Sequence, residues 1–194
     1  MKGLSTLLSL GIVLALSACS KTVTYYTLKP VQSLTSFDSS ATGPVVEVRH
    51  VRFPGYLNNP QIMTTTATGE IKVNEYHRWV EDLGDNFQRT LLQDLAARLK
   101  SGDVYLSGYS NRTPQMVVEV EVMRFDQNDD GAAHLTARWT VWPHGDGAEA
   151  RTGVVVREKQ DGGGSYDDQV AALSALVDEL AGEIALVVTT TTKR

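Results

Sequence analysis

The chain has 194 residues, a single cysteine and a formal net charge of −5 at pH 7. That length suits one domain with a sizeable core, and one thiol excludes both an internal disulfide and a cysteine-based metal centre. The acidic balance repels phosphate backbones, and with no basic patch interleaved with aromatics a nucleic-acid partner is disfavoured.

Residues 1–18 read as an export leader. Lys2 precedes an apolar run from Leu4 to Leu16, too short to cross a ~30 Å hydrocarbon core as a helix. Leu16-Ser17-Ala18-Cys19 matches the box at which bacterial signal peptidases cut lipoproteins. Small side chains at Ser17 and Ala18 let a peptidase close on the backbone, and the Cys19 thiolate is the nucleophile that takes a lipid. The alternative is an ordinary secretory leader with an incidental cysteine. One acyl chain anchors marginally and two or three anchor firmly, at about 0.8 kcal/mol per buried methylene. Ser20 and Lys21 stand where lipoproteins kept at the inner membrane usually carry Asp, which favours the periplasmic face of the outer membrane.

Tyr25 to Leu28 is a short apolar-aromatic piece suited to an edge strand, and residues 32–43 are Ser/Thr-rich and read as loop. Residues 19–43 are therefore expected to be an acylated N-terminus and tether. About 25 residues between Cys19 and Val45 reach at most ~85 Å, less if Tyr25 to Leu28 pairs into a sheet. The β-branched stretch from Val45 to Phe53 predicts a strand ending at Pro54-Gly55. Two shorter strands, Gln61 to Thr66 and Ile71 to Tyr76, follow around a turn at Thr68-Gly69.

Leu83, Phe87, Leu91, Leu95 and Leu99 recur every four residues. With Val80, Leu92 and Ala96 widening the stripe, they predict an amphipathic helix from Arg78 to Lys100. Lys100 and Ser101-Gly102 supply its stop, a cation at the negative end of the dipole and a glycine for a left-handed cap. Three further strands, Gln115 to Phe125, Ala133 to Trp142 and Arg151 to Lys159, are joined at Asn128 to Gly131 and His144 to Gly147, whose residues tolerate positive φ. Their alternation predicts an antiparallel meander with one wet face. After Gly162-Gly163-Gly164, Ser165 with Asp168 opens a second helix with a stripe of Leu173, Leu176, Val177, Leu180, Ile184 and Val187. The expected fold class is α+β, a mainly antiparallel sheet with two amphipathic helices packed on one face, over residues 44–188, followed by a frayed tail at 189–194.

Chemistry is sparse. His50, His77, His134 and His144 stand without a second ligand at metal spacing, so no metal or other cofactor is expected. Asp126 to Gly131 imitates half a calcium loop, but Ala137 occupies the position that needs a bidentate glutamate. The Gly162–Gly164 run lacks a following P-loop lysine, and no nucleophile elbow surrounds Ser110 or Ser165. No catalytic residues are assigned. Pro54-Gly55-Tyr56-Leu57-Asn58-Asn59-Pro60 is a rigid loop displaying an aromatic and an aliphatic side chain, and Trp79 stands at the helix start. Tyr56, Leu57, Pro60 and Trp79 are thus candidates for a partner interface, against the plainer reading that Tyr56, Leu57 and Trp79 plug the core. Trp139 reads as core and Trp142, on the opposite parity, as exposed.

The box at Cys19, Tyr25-Tyr26-x-Leu28, Pro54-x-Tyr56-Leu57 with Pro60-Gln61-Ile62, His77-Arg78-Trp79, and Tyr166 with Val170-Ala171-Ala172 occur in this order along the chain. In this the sequence resembles the ABC-type transport auxiliary lipoproteins, also called PqiC-like or YmbA-like. Members often carry Pro in the first turn of the helix, where this chain has Asp82, which also suits the dipole. The resemblance implies a lipid-anchored, non-enzymatic component of an intermembrane lipid transport system, with an MCE-domain protein as partner, a membrane attachment through Cys19, and a homo-oligomer as an open possibility. The alternative is a periplasmic lipoprotein that itself holds a lipid or another apolar ligand, in a cavity lined by the Leu83-to-Leu99 stripe.

Overall fold

The computed structural model describes residues 21–32, 43–145 and 149–192. The leader, Cys19, most of the Ser/Thr-rich stretch, Asp146-Gly147 of the second expected turn and the last two residues lie outside the described residues.

Eight strands form one sheet: β1 (Thr24–Tyr26), β2 (Val46–Val48), β3 (Gln61–Thr65), β4 (Ile71–Trp79), β5 (Val104–Leu106), β6 (Met116–Asn128), β7 (Ala132–Pro143) and β8 (Arg151–Gln160). Two helices, α1 (Leu83–Leu99) and α2 (Tyr166–Thr192), complete the fold. The expected meander is present, with β6, β7 and β8 pairing antiparallel in sequence order. The hairpin turn sits at Asp129 to Gly131, with Gly131 at φ 87°, so β6 runs on through Asp126 and Gln127, which sequence had placed beyond the strand. The α+β class holds, but the sheet is mixed. The other edge of β6 pairs in parallel with β2 near its start and β3 near its end. Beyond β2 lies β5, also parallel, and beyond β3 come antiparallel β4 and then parallel β1.

The helices cover one face. Leu83, Phe87, Leu91, Leu95 and Leu99 of α1 meet Leu173, Leu176, Val177, Leu180 and Ile184 of α2 over Val118, Val120, Leu135, Ala137 and Val141 in one buried cluster. Phe53, Phe87 and Phe125 pack edge to face, with centroids 5.1 to 6.4 Å apart, the favoured arrangement for ring quadrupoles. On the other face Arg49 pairs with Glu119 and Arg138 with Glu121 in water.

Several boundaries differ from expectation for local reasons. The strand expected from Val45 to Phe53 is regular only over Val46–Val48, because Val51 N–H leaves the ladder for the Gln88 Oε1 of α1 at 2.8 Å before Arg52 rejoins β6 opposite Glu121. Arg78 and Trp79 finish β4 instead of starting α1. The helix is capped by Asp82, whose carboxylate accepts from Gly84 N at 2.9 Å and Asp85 N at 3.2 Å, the usual economy for orphan N–H groups. Val80 therefore lies outside the stripe and is exposed. At the other end the left-handed residue is Lys100, at φ 50°, not Gly102. Gly43 packs so closely there that a Cβ would lie 2.6 Å from Leu99 O and 2.5 Å from Ser101 Cβ. The tail expected to fray is helical through Thr192. Thr189, Thr191 and Thr192 each donate a hydroxyl to the carbonyl four residues earlier, at 2.7 to 2.8 Å, so these hydroxyls find their acceptors within the helix itself.

Candidate functional site: the amino-terminal strap and the Pro54–Pro60 loop

Within the stretch expected to be a tether, the apolar-aromatic piece suited to an edge strand does join the sheet, as β1. Thr24, Tyr25 and Tyr26 lie in parallel register with His77, Arg78 and Trp79, and Val80 N–H continues the pairing to Tyr26 O at 2.9 Å. The chain then crosses the helices as a strap held by side chains from both. Leu28 N–H donates to Asn86 Oδ1 at 2.6 Å and Lys29 N–H to Ser174 Oγ at 3.2 Å. Val31 and Gln32 N–H both donate to Asp94 Oδ1, at 3.0 and 3.2 Å. These donors have no strand to pair with, and a buried unpaired N–H is costly, so polar side chains stand in the otherwise apolar helix faces.

Asp94 is fully buried, and its Oδ2 has no hydrogen-bond partner among the described residues. Burial pushes its carboxyl up to about 6, with the neighbouring Asp178 adding to the shift and the Gln32 and Val31 N–H groups opposing it. Asp178 is itself held by Arg98, which donates through Nε and one terminal nitrogen at 2.8 and 2.6 Å.

Beside the strap, three aromatic rings from distant parts of the chain converge. His77 stacks on Tyr166 with centroids 3.7 Å apart and planes 11° apart, Tyr26 shares a hydrogen bond with His77 Nδ1 at 2.8 Å, and Asn74 donates to the Tyr166 hydroxyl at 2.5 Å. Burial raises the Tyr26 phenol, with Asp167 and Tyr166 reinforcing it. A cleft of about 480 Å³ opens next to this cluster, between Tyr25, Lys29 and Val31 of the strap and Asp167, Val170 and Ala171 of α2. A second, more polar cleft of about 560 Å³ lies beyond Tyr166, along Lys72, Asn74, Asp129 and Asp161.

The Pro54–Pro60 loop contains a single 3-10 turn, Gly55–Leu57, and is tied to β4 by Trp79 N–H donating to Pro60 O at 2.7 Å. The structure separates its candidate interface residues. Leu57 and Trp79 are buried in the core, 2% and 5% exposed, whereas Tyr56 keeps 38% of its surface and Pro60 is exposed. Burial raises the Tyr56 phenol, and Asp126 reinforces the shift. Trp139 is buried and Trp142 is exposed.

The remaining motifs have structural duties. Asp126 accepts from Thr65 Oγ1 and Arg124 Nε, both at 2.8 Å, so the half calcium loop is a strand end and a turn. Asp161 Oδ1 accepts from Gly163 and Gly164 N–H at 3.3 and 3.2 Å, which closes the glycine run on itself. No group of three or more His, Cys, Asp or Glu able to hold a metal ion occurs among the described residues. No helix among them is long and apolar enough to cross a membrane. The Leu83-to-Leu99 stripe, expected to line a ligand cavity, is packed into the core and lines neither cleft.

The family model of the ABC-type transport auxiliary lipoprotein component matches residues 26–185. The fold matches a crystal structure of an uncharacterized protein with a TM-score of 0.71 at 19% identity, over 86% of this chain and 99% of that one. It also matches a crystal structure from Xanthomonas campestris with a TM-score of 0.62 at 15% identity, over 91% and 97%. No curated protein matches the sequence.

Proposed function

Because the chain belongs to the ABC-type transport auxiliary lipoprotein family, we propose that it is acylated at Cys19, held at the periplasmic face of the outer membrane, and serves there as a non-enzymatic adaptor of an intermembrane lipid transport assembly, with an MCE-domain protein as its partner. The observation that carries this reading is the strap. A lipoprotein whose work is positioning needs its body fixed near the bilayer, and here the first strand begins at Thr24, five residues after the cysteine, a span of at most ~18 Å when fully extended. Tyr56 and Pro60, exposed on a loop held by Trp79, form the part of the proposed partner surface that a second protein can reach. Partner binding through a rigid loop costs little ordering entropy.

The experiment is an affinity capture of the tagged, exported protein from cell envelopes, with intact-mass measurement of its amino terminus. Recovery of an MCE-domain protein with an acylated chain is the expected result. An unacylated chain, or capture of only peptidoglycan-associated or secretion proteins, overturns the reading.

A second reading is favoured by the cleft of about 480 Å³ beside Tyr25 and Val170, which is large enough for part of an apolar ligand. On this reading the lipoprotein itself carries lipid, at the strap rather than beneath α1. Native mass spectrometry of the protein released in mild detergent distinguishes it, because bound phospholipid accompanies the chain only in the second case.

A further inference from the structure

Lys21, Tyr25, Tyr76 and Arg78 gather along the sheet edge formed by β1 and β4, where Tyr26 and Trp79 pack inward. In a parallel pair, registered residues point the same way, so Tyr25 and its partner Arg78 project together. Lys21 Nζ lies 4.9 Å from the centre of the Tyr76 ring. Tyr25 is 60% and Tyr76 40% exposed, although aromatic rings of that size usually find cover. Val31, on the rim of the same cleft as Tyr25, is half exposed.

We propose that this row is a bilayer-facing surface, on which the body lies against lipid headgroups beside its own anchor. The inference rests on acylation of Cys19, and the length of chain supplies the occupant. Lys21 is two residues from Cys19, so its backbone stays within ~7 Å of the lipidated residue whatever path those residues take, and no partner protein competes for space that close to an inserted acyl group. The chemistry suits the headgroup layer. Tyrosine is enriched where one end of the ring is apolar and the other wet, and Lys and Arg lay their stems on apolar surface while the charge reaches phosphate. The whole chain is acidic, yet Lys21 brings a cation to this row, lying over the Tyr76 ring. The row's own carboxylate, Glu75, is occupied by Arg78 at 3.1 Å and by Gln61 Nε2 at 3.1 Å, and Asp167 faces it from across the cleft.

The test uses the mature chain, residues 19–194, coupled at Cys19 to a single synthetic acyl chain, because one chain binds bilayers only marginally and leaves added contacts visible. Partitioning is measured into vesicles of phosphatidylethanolamine and phosphatidylglycerol. The pair Tyr25→Ser with Tyr76→Ser should lower the partition constant about tenfold while leaving the thermal midpoint in solution unchanged. Val154→Ser with Val156→Ser, which removes exposed apolar side chains from β8, should leave partitioning unchanged. Equal partitioning of the tyrosine variant, or an equal fall in the β8 variant, overturns the proposal. Synthetic coupling makes the outcome independent of native acylation, which the intact-mass measurement above decides separately.

Discussion

Arg98 of α1 and Asp178 of α2 meet through two parallel hydrogen bonds, 2.8 and 2.6 Å long, with only 11% of the Asp178 side chain exposed. The pair crosses the helix–helix interface close to Asp94. A bidentate, partly desolvated pair is stronger than a surface one. A double-mutant cycle with Arg98→Ala and Asp178→Ala should therefore give a coupling of about 1–3 kcal/mol in chemical denaturation. A value near zero would show that the pair is decorative.

Asp94 sets a pH dependence of definite sign. Its carboxyl is raised from 3.8 to about 6 by folding, so between those values the folded chain holds a proton that the unfolded chain has released. Stability contributed by this residue is present below about pH 4, falls as pH rises through the window and stays low above about pH 6. Asp94→Asn keeps an oxygen for the Val31 and Gln32 N–H groups and removes the charge. It should be more stable than the natural chain by about 1–3 kcal/mol at neutral pH, with the gap closing toward pH 4. Parallel pH profiles of the thermal midpoint would refute the assignment.

The stack of His77 on Tyr166 joins β4 to the first turn of α2. Tyr166→Phe keeps the ring and loses the bond from Asn74, and should cost about 1 kcal/mol. Tyr166→Ala also loses the stack and should cost about 2–4 kcal/mol. Hydrogen exchange should locate the damage: amides of β1, which leans on this cluster through Tyr26, should exchange faster in the alanine variant while those of β6 and β7 keep their protection.

Gly153 lies beneath the Trp139 indole, where an added Cβ would sit 2.3 Å from a ring carbon. A rigid buried ring has little room to yield, and any shift that relieved the clash would pull the indole N–H from Glu183 Oε1, which accepts it at 3.0 Å. Gly153→Ala should therefore destabilise the fold by about 1–3 kcal/mol and shift the tryptophan emission. Unchanged stability would mean that β8 can move away from β7.

Sequence reading succeeded where the physics is local. The four-residue spacing from Leu83 to Leu99 and the alternation through Val118, Val120 and Val122 are consequences of helix and strand geometry that a short window contains. Pairing partners are not local. Nothing near Tyr25 announces that Arg78 lies beside it, and the three residues of β5 are too few to show a period. The expected helix starts early because Val80 fits the apolar stripe. Asp82 directly before Leu83 was the better signal, since a carboxylate there caps the exposed N–H groups. The candidate site was legible only as separate pieces: Tyr26, His77 and Tyr166 each stood in a stretch shared with the lipoprotein family, but only folding brings the three rings together.

The way β1 enters the body also determines how a pull on the amino terminus would travel. Force applied through the amino terminus reaches a three-residue parallel pairing first, then the strap's bonds to Asn86, Ser174 and Asp94, and only afterwards the packed interior. Under such a load the three-residue pairing would open before the interior, so the packed body would keep its fold while its first strand came away.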